Sequence, residues 1–335
     1  MSAFFDLTTI WALILAFAVL MYVVMDGFDL GIGILFPFYT PGAERDQAMN
    51  AIAPVWDGNE TWLVLGGGGL LAAFPLAYAI ILPATYPLIM AMLLGLVFRG
   101  VAFEFRWRDP NHRAFWDLAF TGGSFVAALS QGIILGALLQ GVHVEGRAYA
   151  GGWLDWLSPY SLLTGFGVVC GYALLGACWM AGKLEGSGQN RAFGHARVAA
   201  IATFAAMGAV SLATPFLAAP YYQRWFAMPT LLYLSPVPLV TGLAALFLLR
   251  GLAQRRSGQA FGLALVLFLL GMIGLGVSMW PNVVPPSVTI WQAAAPVRSQ
   301  EFMLVGVLLI MPLILAYTGW TYWVFRGKVS EHGYH

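Results

Sequence analysis

Two acidic motifs lie inside stretches apolar enough to cross a lipid bilayer. They are Met25-Asp26-Gly27-Phe28-Asp29-Leu30-Gly31 and Trp56-Asp57-Gly58-Asn59-Glu60-Thr61-Trp62. A carboxylate at the centre of a bilayer costs roughly 2.5–3.5 kcal/mol on insertion scales. Four of them in the first two apolar segments need a purpose. They either handle protons or ions, or build a buried ion-pair scaffold. Asp26 and Asp29, like Asp57 and Glu60, stand at i, i+3, so each pair shares a helix face. Arg99 in the third apolar segment is the deep cation available to them, with Glu104 and Arg106 beyond it. On the scaffold reading, Arg99 and Glu104 belong to structural ion pairs. On the relay reading, the surplus of acid over arginine leaves at least one carboxyl able to carry a proton, because like charges and burial favour the protonated form. Asp57, between Trp56 and Gly58, is the leading candidate for the working group, with Asp26, Asp29 and Glu60 beside it on the same path.

The elements that must hold these groups follow from composition. Of 335 residues, 60% are hydrophobic and 9% are charged, and the mean hydropathy is +0.78. A soluble domain carries about 25% charged residues. The chain therefore reads as an all-α, polytopic membrane protein forming a single membrane domain over residues 1–335. The net charge of +1 offers no basic field for nucleic acid. The N-terminus lacks a basic region ahead of its first apolar stretch, so the first helix is expected to be an uncleaved span.

Nine apolar segments have spanning length: 8–36, 52–74, 79–107, 114–141, 158–183, 195–219, 227–250, 259–280 and 301–325. The basic residues then orient them. Thirteen of the sixteen Lys and Arg residues fall on one side: Arg45, Arg99, Arg106, Arg108, Arg113, Lys183, Arg191, Arg197, Arg250, Arg255, Arg256, Arg326 and Lys328. Only Arg147, Arg224 and Arg298 fall on the other. The N-terminus is expected outside and the C-terminus in the cytoplasm. All four acids then converge towards the inner surface, with Arg99 at a comparable level.

A faint repeat relates Tyr22–Gly31 to Tyr172–Ala181. It suggests two four-helix bundles, over roughly 1–141 and 158–280, plus a peripheral helix at 301–325 and a cytoplasmic tail at 326–335. Gly66-Gly67-Gly68-Gly69 lies within a span, where small residues serve close helix packing rather than phosphate binding. Pro75, Pro83 and Pro87 are expected to bracket the second-to-third connection and kink the third helix. Trp280–Pro286 reads as a non-helical turn or re-entrant loop. The thirteen Trp and thirteen Tyr read as interfacial and packing residues. Cys170 and Cys178, separated by about 12 Å of helical rise, cannot form a disulfide with each other.

The five histidines, His112, His143, His195, His332 and His335, fall at loops, helix ends or the tail. A membrane cytochrome b needs axial histidines within its spans, so no haem or metal ligated by this chain is expected. The alternative reading of intramembrane acids in Gly-rich spans is an ion-coupled secondary transporter. A purely structural assembly partner is a third.

The residues also resemble a family. Asp26–Gly31 ends the first span, Trp56–Leu63 opens the second, and Phe98-Arg99-Gly100-Val101-Ala102-Phe103-Glu104-Phe105-Arg106 lies on the third. Together they resemble subunit II of cytochrome bd-type quinol oxidases. The short chain and loops look more like the cyanide-insensitive branch. The resemblance implies a terminal oxidase of aerobic respiration in the bacterial inner membrane that oxidises quinol and reduces dioxygen to water. It also implies a larger partner, subunit I, holding haems b558, b595 and d, while subunit II ligates none. The family's small third subunit is not disclosed by this chain. In the family the carboxylate of the Trp-Asp-Gly motif lies on a proton path. That position is Asp57 here, with Trp56, Gly58 and Trp62 as motif neighbours.

Overall fold

The computed structural model of the chain describes residues 6–329. His332, His335 and most of the expected tail lie outside the described residues.

Helix α1 (Leu7–Leu35) starts where Asp6 caps it, the carboxylate accepting the Thr9 N–H at 2.7 Å. This bond holds the Asp6 carboxyl below the usual carboxylate range. A short helix, α2 (Ala43–Asn50), then leads to α3 (Trp56–Ala73). The chain bends by 120° after α3 and continues as α4 (Pro75–Ala84). Proline drives the preceding residue out of the helical region, and Phe74 accordingly has φ −132° and ψ 63°. Next come α5 (Tyr86–Arg108) and α6 (Arg113–Gln140). A small hairpin, β1 (Val144–Glu145) and β2 (Ala148–Tyr149), connects to α7 (Pro159–Lys183), which opens with a Ser158 capping box. Then follow α8 (Gly186–Ala213), α9 (Ala219–Phe226), α10 (Thr230–Leu234), α11 (Pro236–Ala253) and α12 (Ser257–Met279). A second hairpin, β3 (Asn282–Val284) with β4 (Val288–Thr289), precedes the short α13 (Ile290–Ala293) and the long α14 (Val297–Val324).

Among the described residues eight helices are long and apolar enough to cross a membrane, and the bent pair α3–α4 makes a ninth if counted as one span. The protein is an all-α integral membrane protein. Several expected boundaries change for physical reasons. The expected 79–107 segment joins two helices that part at Thr85, just before Pro87. The prolines thus end one helix and start another rather than kinking one. The sixth span begins at Gly186, not 195, because its first turns carry Ser187, Gln189, Asn190 and Arg191 and are too polar to read as apolar. The Trp280–Pro286 stretch is non-helical, as expected, and its turn belongs to a paired hairpin.

The core is built by close backbone approach. A Cβ on Gly31 of α1 would sit 1.8 Å from the Tyr172 carbonyl oxygen of α7, and one on Gly176 would sit 2.5 Å from the Gly31 carbonyl carbon. Gly95 and Gly123 join α5 to α6 in the same way, at 2.7 and 2.3 Å. Small residues permit this contact in lipid, where dispersion rather than the hydrophobic effect holds helices together. Helix α1 is therefore central, packed on α3 and α6 and also on α7 and α12. The two tyrosines of the faint repeat meet across this crossing: Gln131 donates to the Tyr22 hydroxyl at 2.8 Å and accepts from Tyr172 at 2.7 Å. The glycine run serves packing only in part. Gly66 and Gly69 face Val19 and Leu15, while Gly67 and Gly68 are exposed with nothing within 4 Å. Cys170 and Cys178 are both free thiols.

Candidate carboxylate and arginine site

Three helices bring charge together. Asp26 and Asp29 come from α1, Glu60 from α3 and Arg99 from α5. Their placement follows from the packing just described. Gly27 and Gly31 draw one face of α1 onto α7, where a Cβ on Gly27 would meet the Tyr172 ring at 2.8 Å. The aspartates then lie on another face. Gly123 of α6 lets its helix approach α5 at Arg99, where a Cβ on Gly123 would sit 3.0 Å from the Arg99 backbone nitrogen. Trp56 stacks on Phe103 of α5 at 5.0 Å and anchors the start of α3 one turn from Arg99. Trp62 is buried among Ala18, Tyr22 and Met25 and locks α3 against α1.

The side chains of Asp26, Asp29 and Arg99 are fully buried, and Glu60 is 25% exposed. Arg99 Nη1 lies 3.1 Å from Asp26 Oδ1 and also donates to Glu60 Oε1. Arg99 Nη2 lies 3.9 Å from Asp29 Oδ2. One guanidinium thus serves three carboxyl groups. Direct bonds do not fully satisfy the cluster: Asp26 has Arg99 Nη1 and the Tyr22 hydroxyl beside it, but among the described residues Asp29 Oδ1 and Arg99 Nε are buried without a hydrogen-bond partner. Buried charges that are incompletely bonded are costly, so this arrangement is expensive as a pure scaffold.

Asn59 is the residue that sequence reasoning quoted but did not assign. It is 1% exposed. Its Nδ2 donates to Asp29 Oδ2 at 2.7 Å and to the Met25 carbonyl at 3.3 Å. Its Oδ1 accepts from the Tyr322 hydroxyl of α14 at 2.9 Å. An asparagine between two acidic motif positions was the available signal. Tyr322, 263 residues away, gave none.

The structure separates two expected members from this group. Asp57 neighbours Glu60 but does not converge with Asp26 and Asp29. It is exposed on α3, away from Asp26 and Asp29, and makes no hydrogen bond or ion pair among the described residues. The reason is helix phase. The buried line of α3 runs through Asn59 and Trp62. Two residues before Asn59 is about 160° around the helix, whereas Glu60 is about 100° away on the flank. Gly58, with nothing within 4 Å, opens onto the same exterior. Glu104 does not pair with Arg99 either. It is 57% exposed and lies 3.8 Å from Arg108. Five residues from Arg99 is about 140° around α5.

A second charged cluster was missed altogether. Arg106, 2% exposed, donates from Nε to Asp117 at 2.5 Å and from Nη1 to Asp46 at 2.7 Å. Arg45 meets the other Asp117 oxygen at 2.7 Å. Nearby, burial works against ionisation of Glu44, yet the Thr40 N–H and Arg191 hold its carboxyl below the usual range. These bonds tie α2 to the ends of α5, α6 and α8.

Comparison with known proteins is consistent with the fold and motifs. The cytochrome bd-I ubiquinol oxidase subunit 2 of Escherichia coli (strain K12) is 29% identical over 359 residues, covering 96% of this chain and 95% of the relative. The cytochrome bd ubiquinol oxidase subunit 2 of Bacillus subtilis (strain 168) is 28% identical over 338 residues, with 97% and 98% covered. A chain in the structure of bd oxidase from Geobacillus thermodenitrificans superimposes with a TM-score of 0.73 at 18% identity, covering 96% of this chain and 99% of that one. The profile of the cytochrome bd terminal oxidase subunit II family matches residues 7–325, and the chain belongs to that family, whose relatives are subunits of an oxidoreductase complex.

Proposed function

We propose that this chain is the non-haem subunit II of a quinol:dioxygen oxidoreductase in the bacterial inner membrane, and that its carboxylates deliver protons from the cytoplasm. Family membership and the names of the two relatives support the oxidase assignment. The distribution of basic residues supports a cytoplasmic C-terminus and an outer N-terminus.

Electron transfer belongs to the partner. Among the described histidines, His112 and His143 are exposed and lie beside Asp109 and Glu145, and His195 packs on the Tyr39 ring. His195 lies inside α8 rather than at a helix end as expected, and its ring is taken up by edge-on packing against Phe38 and Tyr39. This donor set does not fit a haem, so haems b558, b595 and d are assigned to subunit I. There they supply the redox chemistry that takes electrons from quinol to dioxygen. A small accessory subunit is compatible with this arrangement.

This chain contributes the acid path. The carrying observation is one guanidinium set among three buried or half-buried carboxyls, with bonding capacity left over. Glu60 is the member that reaches the exposed face of α3, where Asp57 stands one turn earlier. A bare acid facing lipid is costly, and a docked partner covering that face removes the cost. Protons then pass from the inner surface through Asp57 and Glu60, while Asp26, Asp29 and Arg99 hold the balancing charge and exchange protons with Glu60. Buried donors and acceptors that face one another without touching are commonly bridged by water. Because dioxygen reduction consumes protons and quinol oxidation releases them, inside uptake with outside release separates charge.

The test is Asp57→Asn in the purified complex. Slow turnover with unchanged haem spectra supports the path. Wild-type turnover removes Asp57 from it, and loss of haem identifies a scaffold residue.

A further inference from the structure

Asn59 has a fixed amide orientation, and the groups around it show why. A primary amide has two N–H donors on nitrogen and an acceptor oxygen. The Met25 carbonyl can only accept, so it requires an N–H. That N–H comes from Nδ2 at 3.3 Å, and the other goes to Asp29 Oδ2 at 2.7 Å. Oδ1 is then left facing α14, where the Tyr322 hydroxyl donates to it at 2.9 Å. All three bonds agree on one orientation. Turning the amide over would set its oxygen against the Met25 carbonyl.

The consequence falls on Asp29. Its Oδ2 faces an N–H donor and, at 3.9 Å, Arg99 Nη2. Its Oδ1 is buried with no hydrogen-bond partner among the described residues. An oxygen already receiving an N–H is a poor place for a proton, so a proton on Asp29 sits on Oδ1. We infer that Tyr322, acting through Asn59, is a positioning residue that selects Oδ1 as the proton-bearing oxygen of Asp29.

The helix that carries Tyr322 makes this notable. Among the residues of α14 only Gln300 is buried. Its polar contacts to the bundle include the Gln300 carbonyl, which accepts from Trp11 at 3.1 Å, and Tyr322, which packs edge-on against Phe28 and Trp179 while bonding Asn59. Between them Met311 and Ile314 pack against the cluster that holds Trp62. The Tyr322 hydroxyl is thus a polar contribution of an otherwise lipid-facing or partner-facing helix to the carboxylate cluster.

The inference rests on the proton-path reading, and the experiment separates the two. Tyr322→Phe keeps the ring and its packing and deletes the donor. In the purified complex the rate at saturating quinol should fall about five-fold, the kinetic weight of one neutral hydrogen bond. The quinol KM and haem spectra should be unchanged, and the solvent deuterium isotope effect on turnover should rise. Asn59→Leu should reproduce these changes, and adding Tyr322→Phe to it should do nothing more. In an Asp29→Asn background, Tyr322→Phe should likewise add nothing. A wild-type rate and isotope effect in Tyr322→Phe, with Asp29→Asn slow, overturns the inference and leaves the path intact. A slower rate with an unchanged isotope effect also overturns it, as a packing defect. A wild-type rate in Asp29→Asn removes Asp29 from the path, and the inference goes with it. If Tyr322→Phe loses haem, Asn59→Leu decides by the same rate and isotope readings.

Discussion

Two arginine-centred clusters, a few helical turns apart, divide the work of buried charge differently. Around Arg106 and Arg45, two cations meet Asp46 and Asp117, and each arginine makes a short direct bond to a carboxylate. Charge is balanced, and both guanidinium planes also rest on the Phe36 ring at 5.5 Å. Around Arg99, one cation meets three acids, and Asp29 Oδ1 and Arg99 Nε find no hydrogen-bond partner among the described residues. The first cluster is saturated and reads as a clamp on the helix ends. The second is short of positive charge and incompletely bonded, which is the contrast on which the proposed proton path rests.

Substitutions can break or sharpen this contrast. The largest effect is expected at Arg99. Arg99→Met strands three acids without their cation and should cost about 3–5 kcal/mol. Little haem-bearing complex should then be recovered from membranes, and the thermal midpoint of what remains should drop. Arg106→Met removes two direct bonds from the clamp and should cost about 2 kcal/mol. Its signature is a lower thermal midpoint with unchanged turnover per haem. Equal losses of turnover in the two variants would erase the distinction between clamp and path.

How far these clusters were readable in the sequence follows the same physics. Asp26, Asp29, Glu60 and Arg99 were legible because charges inside apolar segments are expensive enough to stand out. The nine apolar segments were legible for the complementary reason, although the α3–α4 bend at Pro75 and the polar first turns of α8 were not. Asp57 was given the right segment and the wrong face, because an i, i+3 spacing relates it to Glu60 without saying which flank of α3 meets α1. Asn59 and Tyr322 form a bond between helices at opposite ends of the chain, and no local pattern announces it. The Arg106 clamp was hidden likewise, its partners lying 11 and 60 residues away.

Smaller effects lie outside both clusters. Asp6→Ala removes the cap of α1 and should cost about 1 kcal/mol at neutral pH. The Asp6 carboxyl is held below its usual range mainly by its bond from Thr9. Its stabilisation is therefore present above the unfolded value of about 3.9 and is lost as pH falls through the lower folded one. The gap between wild type and Asp6→Ala should close in that acidic window when unfolding is followed by circular dichroism. The smallest effect is expected at Glu104. Its pair with Arg108 is exposed on both sides, and such pairs contribute about 0–1 kcal/mol. Glu104→Gln should match wild type in both thermal midpoint and turnover, in contrast to every acid around Arg99.

The most direct test of an under-neutralised proton path is Glu60→Gln, followed by proton uptake from the cytoplasmic side of the reconstituted complex after a pulse of dioxygen. Uptake should slow by about ten-fold, the kinetic equivalent of about 1.4 kcal/mol, with haem spectra and thermal midpoint unchanged. Uptake at the wild-type rate in an intact, fully haem-loaded complex would contradict it.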